Sequence, residues 1–417
     1  MWQQTRYLLG SSGSVRHLGV TKDHNRGLLW AVASSVACMV AAAALNQWRY
    51  GTIPYHAPRY RGWDAQHYLA MALHPFGPAY AIHQAPYGWR ILTPLLVHLL
   101  PVPPLPAFFV LNWIALCAVG PFLYAWLRHE GRGHGPALLA ALAFYGLYWA
   151  VWFYLWDPLA VDGLAMASMA AGLYLIAVGA DGWLAVLLPL AVLDKESSLF
   201  LLIPFAIRLA ADRLPAGRSL ARLALVAGPA ALAFAVPRLA IPVDNHYSYF
   251  SLLRALPGLR HDAGHLLILH VAWTFTFAAV GPTIALAVVG LHQAIRRGVR
   301  PTASVVGAWC MGVPLLVAAL MVSNPTRAVV YAFPAALWFV AVAASTLAAR
   351  GIRLLAVGLV VADLVYNLSG PSRGGIAAGL ATLMAAVGCV AVYYCLLRSH
   401  AENRLSHAAV SAREASM

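Results

Sequence analysis

Charge is scarce in this chain of 417 residues. Only 10% of its side chains are Asp, Glu, Lys or Arg, and 14 residues are acidic. A soluble globular domain carries roughly a quarter of its residues as charges, so a water-soluble enzyme is already excluded as the natural reading. Lysine is nearly missing: Lys22 and Lys195 are the two copies. The five cysteines (Cys38, Cys117, Cys310, Cys389 and Cys395) are odd in number, lie inside apolar blocks and show no CxxC spacing. Neither a disulfide framework nor a zinc site is indicated. No Walker A, GxGxxG, GxSxG or HExxH pattern occurs. Nucleotide-driven transport, dinucleotide redox chemistry, serine hydrolysis and zinc proteolysis therefore lack their usual motifs. No internal repeat or low-complexity tract is present.

What the chain has in abundance is apolar sequence. It is 61% hydrophobic, with a mean hydropathy of +0.71. The apolar residues fall in about a dozen blocks bounded by Arg, Gly or Pro. A membrane span needs about 20 such residues, because the hydrocarbon core is ~30 Å thick and a helix rises ~1.5 Å per residue. Candidate spans are 28–45, 106–127, 136–155, 158–179, 220–241, 265–291, 302–322, 328–348, 354–368 and 374–397. Segment 183–208 is long enough for one helix, but Asp194-Lys195-Glu196-Ser197-Ser198 interrupts it, which suits two half-helices meeting at a polar break. Residues 90–102 are too short and too rich in proline for a span and read as re-entrant or interfacial. The expected fold is all-α: a polytopic integral membrane protein of about 10–12 transmembrane helices. The tails are 1–27 and 398–417, a single membrane domain covers 28–397, and the first outer loop is 46–105. The block at 28–45 reads as an uncleaved first span, since its basic leader is long for a signal peptide.

The net charge of +14 belongs to this layout and not to nucleic-acid binding. With the N-terminus in the cytoplasm, the inner segments 1–27, 128–135, 208–222, 292–301, 349–353 and 398–417 hold 18 of the 28 basic residues. That is the bias the positive-inside rule requires. The alternation holds only if 183–208 crosses twice, giving about twelve crossings with both termini cytoplasmic.

The remaining charges define a candidate site. Asp64, Asp157, Asp162, Asp194, Glu196, Asp244 and Asp262, half of all the carboxylates, map to the outer half. An ionisable group inside a bilayer costs on the order of 2.5–3.5 kcal/mol and persists where it is paired or lines a polar cavity. The richest stretch is 59–94. There Asp64 precedes His67 and Tyr68 by three and four residues, so on a helix they share one face. A carboxylate in such an aromatic, apolar setting is suited to act as a general base on a bound hydroxyl. Asp157 precedes Pro158 and reads either as a helix cap or as a site residue. Arg90, Lys195 and Arg327 are cations on the side that should be poor in them. Phosphate is one natural partner and ion pairing is the other, Lys195 with Asp194 or Glu196 above all. His56, His67, His74 and His83 crowd the first outer loop, yet their spacing supports no divalent-metal site, and no cofactor is expected.

These residues resemble a family. The aromatic-Asp-x-x-His-Tyr element at 63–68, Arg-x-Leu-x-Pro-Leu at 90–95, Asp157-Pro158 and Lys195-Glu196 before a Leu-rich run are similar to GT-C glycosyltransferases. The likeness is greatest to bacterial members and covers roughly 28–345 as a sparse set of motifs. It implies a polytopic enzyme of the bacterial inner membrane, its site facing outward. A sugar would move from a polyprenyl-phosphate donor to an envelope glycan, lipid or protein. It also implies that Asp64 is the base on the acceptor, and that Asp157, Lys195 and Glu196 line the site. Arg327 matches a frequent outer-end arginine ahead of a Pro-containing span. Arg90, His67 and Tyr68 fall in the motif region and are expected on the substrate. The acidic pair common in the family's first loop is absent here, where Asp64 follows Trp63 alone, and there is no large C-terminal soluble domain.

The expectation is therefore inverting glycosyl transfer by a membrane enzyme with a lipid-linked sugar as partner. Two rivals use the same charges: a carrier or flippase for a lipid-linked or anionic solute, and a non-catalytic assembly protein of the cell envelope.

Overall fold

A computed structural model of the chain describes residues 21–50, 64–75, 86–147, 150–151, 154–155, 157–241, 283–319 and 330–349. Every regular element among them is helical. In chain order these are α1 (Thr21–Tyr50), α2 (Asp64–Leu73), α3 (Leu92–Leu99), α4 (Pro104–His129), α5 (His134–Ala143), α6 (Asp162–Val178) and α7 (Asp181–Asp194), then α8 (Leu202–Ala211), α9 (Ala216–Ala240), α10 (Ile284–Arg296), α11 (Ala303–Ala319) and α12 (Phe333–Ala349). Short 3₁₀ turns at Tyr87–Trp89, Phe144–Gly146, Glu196–Leu201 and Val330–Ala332 adjoin them.

Among the described residues three helices are long and apolar enough to cross a membrane: Asn25–Leu45 within α1, α4 and α9. Local chemistry fixes their bounds. Proline stands at the first turn of α4, where a missing N–H costs nothing, and Arg128 and His129 face the negative end of its dipole. Helix α6 stops at Gly179, whose φ of 75° lets Ala180 N–H reach back to the Leu175 carbonyl at 2.9 Å.

The helices pack as α4 on α6 and α1, α7 on α9, α8 on α11, and α12 on both α5 and α10. One large core includes Trp126, Trp338, Tyr124, Tyr154 and Phe205, and a smaller one seats α2 and α3 through Tyr68, Val97 and Phe108. The α10–α12 crossing is close: a Cβ on Gly290 would meet the backbone carbonyl of Phe339. Small residues at such crossings let helix backbones approach each other directly.

The surface is as informative as the core. Leu29, Trp30, Trp183, Leu239 and Ile295 are among the large apolar side chains left exposed. Along the apolar window of α9 only 11% is buried inside the protein. In water such a helix would be expected to hide its leucines, so this face suits an apolar surrounding.

The bundle has two chemically distinct ends. At one, Glu130 accepts hydrogen bonds from Thr302 and Ser304, and Asp181 pairs with Arg208 at 2.5 Å and with Arg222 at 3.6 Å. Arg128, Arg132, Arg213, Arg218, Arg296, Arg297 and Arg300 sit within a few residues of these contacts in the chain. At the other end the break 194–198 meets Arg90, Thr93, Asp162 and Tyr331. Among the described residues this second end holds three basic side chains whose contacts place them: Arg90, Lys195 and Arg238. The segments 128–135, 208–222 and 292–301, rich in arginine in the sequence, gather at the first of these ends.

The segment 183–208 is a hairpin. Asp181 and Arg208 are 27 residues apart yet paired, whereas one continuous helix would separate them by ~40 Å. Helices α7 and α8 therefore run antiparallel, with the polar break at their shared tip. Two expectations need correction. The block 136–155 is not one span: α5 ends at Ala143 and the chain tightens into a 3₁₀ turn. There Phe144, Tyr145 and Gly146 have poor helix propensity, and the Tyr145 hydroxyl bonds to backbone groups of α4 at Gly120 and Leu116. The block 158–179 begins its helix later than expected, at Asp162. Residues 90–102 contain α3, whose eight residues are too short to span. The expected spans 354–368 and 374–397 lie outside the described residues.

Candidate functional site

The hairpin tip carries the site. Helix α7 ends at Asp194, and Lys195 is extended (φ −156°, ψ 126°) before the 3₁₀ turn Glu196–Leu201. Successive side chains of extended backbone point to opposite sides. Lys195 and Glu196 consequently reach different partners.

Glu196 takes Arg90. The guanidinium grips the carboxylate at two points, Nη2 to Oε1 at 2.5 Å and Nε to Oε2 at 3.0 Å, while Nη1 donates to the Tyr68 hydroxyl at 3.1 Å. Both charged side chains are largely buried, 10% and 16% exposed. Around them lies an aromatic floor. The Tyr87 ring stacks on His67 with centroids 4.9 Å apart, meets Tyr68 edge-on at 6.0 Å, and lies 5.9 Å from the Arg90 guanidinium carbon.

Lys195 takes Asp162, the first residue of α6, which is fully buried. The same carboxylate oxygen accepts the Tyr331 hydroxyl at 2.5 Å, and the lysine ammonium lies 4.6 Å from the centre of the Tyr331 ring. Asp194 forms a third node. It is fully buried; Oδ1 accepts the Thr93 hydroxyl at 2.5 Å, and Oδ2 has no hydrogen-bond partner among the described residues. Five charged or chargeable side chains, Arg90, Asp162, Asp194, Lys195 and Glu196, thus converge from three parts of the chain in a setting where an unpaired charge would be costly.

Several expected residues gather here: Tyr68, Arg90, Lys195 and Glu196 directly, and His67 through the floor. Asp64 is the first residue of α2, one turn before His67 and Tyr68; its side chain, and Arg327 as a whole, lie outside the described residues. Asp157 stands before α6, where its Oδ1 accepts the Leu159 N–H at 3.3 Å, and Asn112 donates to the Pro158 and Ala160 carbonyls at 2.8 Å each. These bonds fix the turn before α6, an Asx-type turn at Asp157, and the N-cap position of the helix itself is Val161. For Lys195 the expected carboxylate was Asp194 or Glu196. The partner is Asp162 instead, because the extended backbone turns Lys195 away from Glu196 and toward α6.

Tyr331 and Thr93 were missed as site residues, and Asp162 and Asp194 were noted among the outer carboxylates without a role. Tyr331 and Thr93 are lone hydroxyls in apolar sequence and gave no signal, whereas the carboxylates of Asp162 and Asp194 stood out by their charge. Among the described residues no three His, Cys, Asp or Glu side chains gather as metal ligands; His98, for instance, uses Nδ1 on the Ala72 carbonyl at 2.9 Å. Comparison with known proteins gives no relative: no family model, no curated protein and no solved structure matches the chain.

Proposed function

We propose that the chain is a polytopic membrane glycosyltransferase of GT-C type, moving a sugar from a polyprenyl-phosphate donor to an envelope acceptor at the outer end of the bundle. The reading is supported above all by one observation: Tyr68, Arg90, Asp162, Asp194, Lys195 and Glu196 converge at the end of the helices that is otherwise poor in basic residues. Buried ionisable groups of membrane proteins mark functional sites, because their insertion cost selects against them elsewhere.

In this mechanism Asp64 takes the proton of an acceptor hydroxyl while the acceptor oxygen bonds to the anomeric carbon. The carbon's bond to the donor phosphate breaks, and the phosphate leaves with the electron pair. Configuration inverts. In this reading Arg90 and Lys195, although matched by Glu196 and Asp162, are the cations that turn N–H donors toward the leaving phosphate as it gains charge. His67 and Tyr87 supply flat aromatic surface.

Membranes containing Asp64→Asn or Asp64→Ala are assayed with a polyprenyl-phosphate sugar and an envelope acceptor fraction. The expected result is a loss of about 10²-fold or more, the scale of general-base catalysis, with expression and insertion unchanged. Near-wild-type transfer by Asp64→Asn defeats the mechanism. One observation favours a second reading. A broken hairpin with charge at its tip is also how carriers bind solutes at depth. Sealed vesicles separate the two, since a carrier moves a lipid-linked or anionic solute across without forming product.

A further inference from the structure

The hairpin tip does not balance its charge. Among the described residues that meet there, two cations, Arg90 and Lys195, face three carboxylates. Glu196 is paired with Arg90, and Asp162 with Lys195. Asp194 receives the Thr93 hydroxyl at 2.5 Å, a donor that carries no charge. Both residues are buried, Asp194 completely, and its Oδ2 has no hydrogen-bond partner among the described residues. Arg90 and Lys195 are near enough to act on Asp194 electrostatically, but so is Asp162, with the opposite sign. A buried carboxylate without its own counter-charge is among the costliest arrangements in a protein interior.

Two neighbouring hydroxyls share the deficit. The Oγ atoms of Ser197 and Ser198 are buried and have no hydrogen-bond partner among the described residues, and Ser198 is completely buried. The Ser198 N–H donates to the Lys195 carbonyl at 3.0 Å, so the chain turns directly after the extended residue and both serines stay at the tip. Helix α7 ends at Asp194. Its last carbonyls lie beyond the intrahelical ladder and bring the negative end of the dipole to the same place. Buried oxygens with spare lone pairs are what a hard cation takes. Broken helices in membrane proteins bind Na⁺ in this way, through half-helix C-terminal ends and unwound backbone.

The charge count sets the valence. One unmatched carboxylate calls for one positive charge. Ca²⁺ and Mg²⁺ would overshoot it, and they draw on several carboxylates or retained waters. K⁺ is recognised by rings of several carbonyls, which one five-residue stretch does not form. We infer that the hairpin tip binds one Na⁺ ion, with Asp194 Oδ2 as its charged ligand and the hydroxyl oxygens of Ser197 and Ser198 beside it. Thr93 is a positioning residue: it holds Oδ1 and so orients Oδ2. With the ion in place, the described cluster carries three charges of each sign. The inference stands on the buried tip and not on the transfer chemistry.

The full chain is purified in mild detergent with N-methylglucamine as the cation, and binding of radioactive sodium is measured by scintillation proximity at constant ionic strength. The wild type should bind about one ion per chain, saturably, with K⁺ competing at least about tenfold more weakly than unlabelled Na⁺. Asp194→Asn keeps the shape and the bond to Thr93 while removing the unmatched charge. It should fold, checked by gel filtration and helical circular dichroism, and lose affinity about tenfold or more, the scale of a contact to a charged group. Ser198→Ala leaves every charge in place and should weaken binding about fivefold. Ser345→Ala should change nothing, because that hydroxyl bonds within its own helix. Absence of saturable sodium binding by the wild type would mean that a proton neutralises Asp194, and overturns the proposal. So does equal binding by Asp194→Asn and Ser198→Ala, or competition by K⁺ as strong as by Na⁺. No sugar transfer is measured, so the result is independent of whether Asp64 is a catalytic base.

Discussion

The Arg90–Glu196 pair allows a quantitative test of how the outer cluster is held together. The two residues are 106 positions apart in the chain, joined at two points and largely buried. With the charge centres ~4 Å apart and an effective dielectric of ~20, their attraction is about 4 kcal/mol. Measured losses on removing one member of a buried pair are similar, about 3–5 kcal/mol, because the survivor is left charged and unsolvated. Arg90→Met and Glu196→Leu should each cost this much. The double variant should cost far less than the sum, since replacing a buried pair by apolar side chains is often close to neutral. The coupling energy between the two sites is then on the order of 3 kcal/mol, well above the few tenths expected of independent positions. Unfolding of the purified protein by SDS titration in mixed micelles measures all four species. Additive losses would show that the pair contributes nothing jointly, and the account of the tip as a charge-matched junction would fail.

Two further predictions use the same unfolding assay. Arg208→Met should cost about 3 kcal/mol, because Arg208 is buried against Asp181 at the open end of the hairpin. Arg222→Met should cost less than about 1 kcal/mol, because its side chain is 46% exposed at 3.6 Å from the same carboxylate; equal losses would contradict the difference in burial. Gly290→Ala should lose about 1–3 kcal/mol through overpacking against the Phe339 carbonyl, and unchanged stability would mean that α10 and α12 do not approach so closely.

Much of this architecture was legible in the sequence because charge is scarce in it. With so few charged residues, each arginine cluster marks a turn between apolar segments, and Arg208 and Arg222 do meet at Asp181 where the hairpin and α9 come together. The polar run Asp194–Ser198 in a Leu-rich segment was enough to expect a break there. The pairing was not legible. Lys195 selects Asp162 because of a single extended residue, a backbone detail that no residue pattern encodes. Thr93 and Tyr331 were invisible for another reason: a hydroxyl within an apolar segment commonly bonds within its own helix, as Ser345 does to the Ala341 carbonyl, and only the packing of helices distant in sequence brings these two to carboxylates. Asp157 was readable both as a cap and as a site residue; its carboxylate instead closes a turn onto the Leu159 N–H, ahead of the Val161 N-cap position of α6.

The hairpin tip also bears on the order in which the protein is made. Four side chains that receive its charged residues, Tyr68, Arg90, Thr93 and Asp162, precede it in the chain, and Tyr331 follows. Under the proposed membrane placement, Lys195 and Glu196 leave the ribosome after their counter-charges. The cost of bringing two ions into lipid, on the order of 2.5–3.5 kcal/mol each, is then met on arrival by partners already in place. A chain rearranged so that the hairpin came first would carry those ions into the bilayer alone. Synthesis from N- to C-terminus makes Arg90 and Asp162 the receptacle for a tip that has not yet been made.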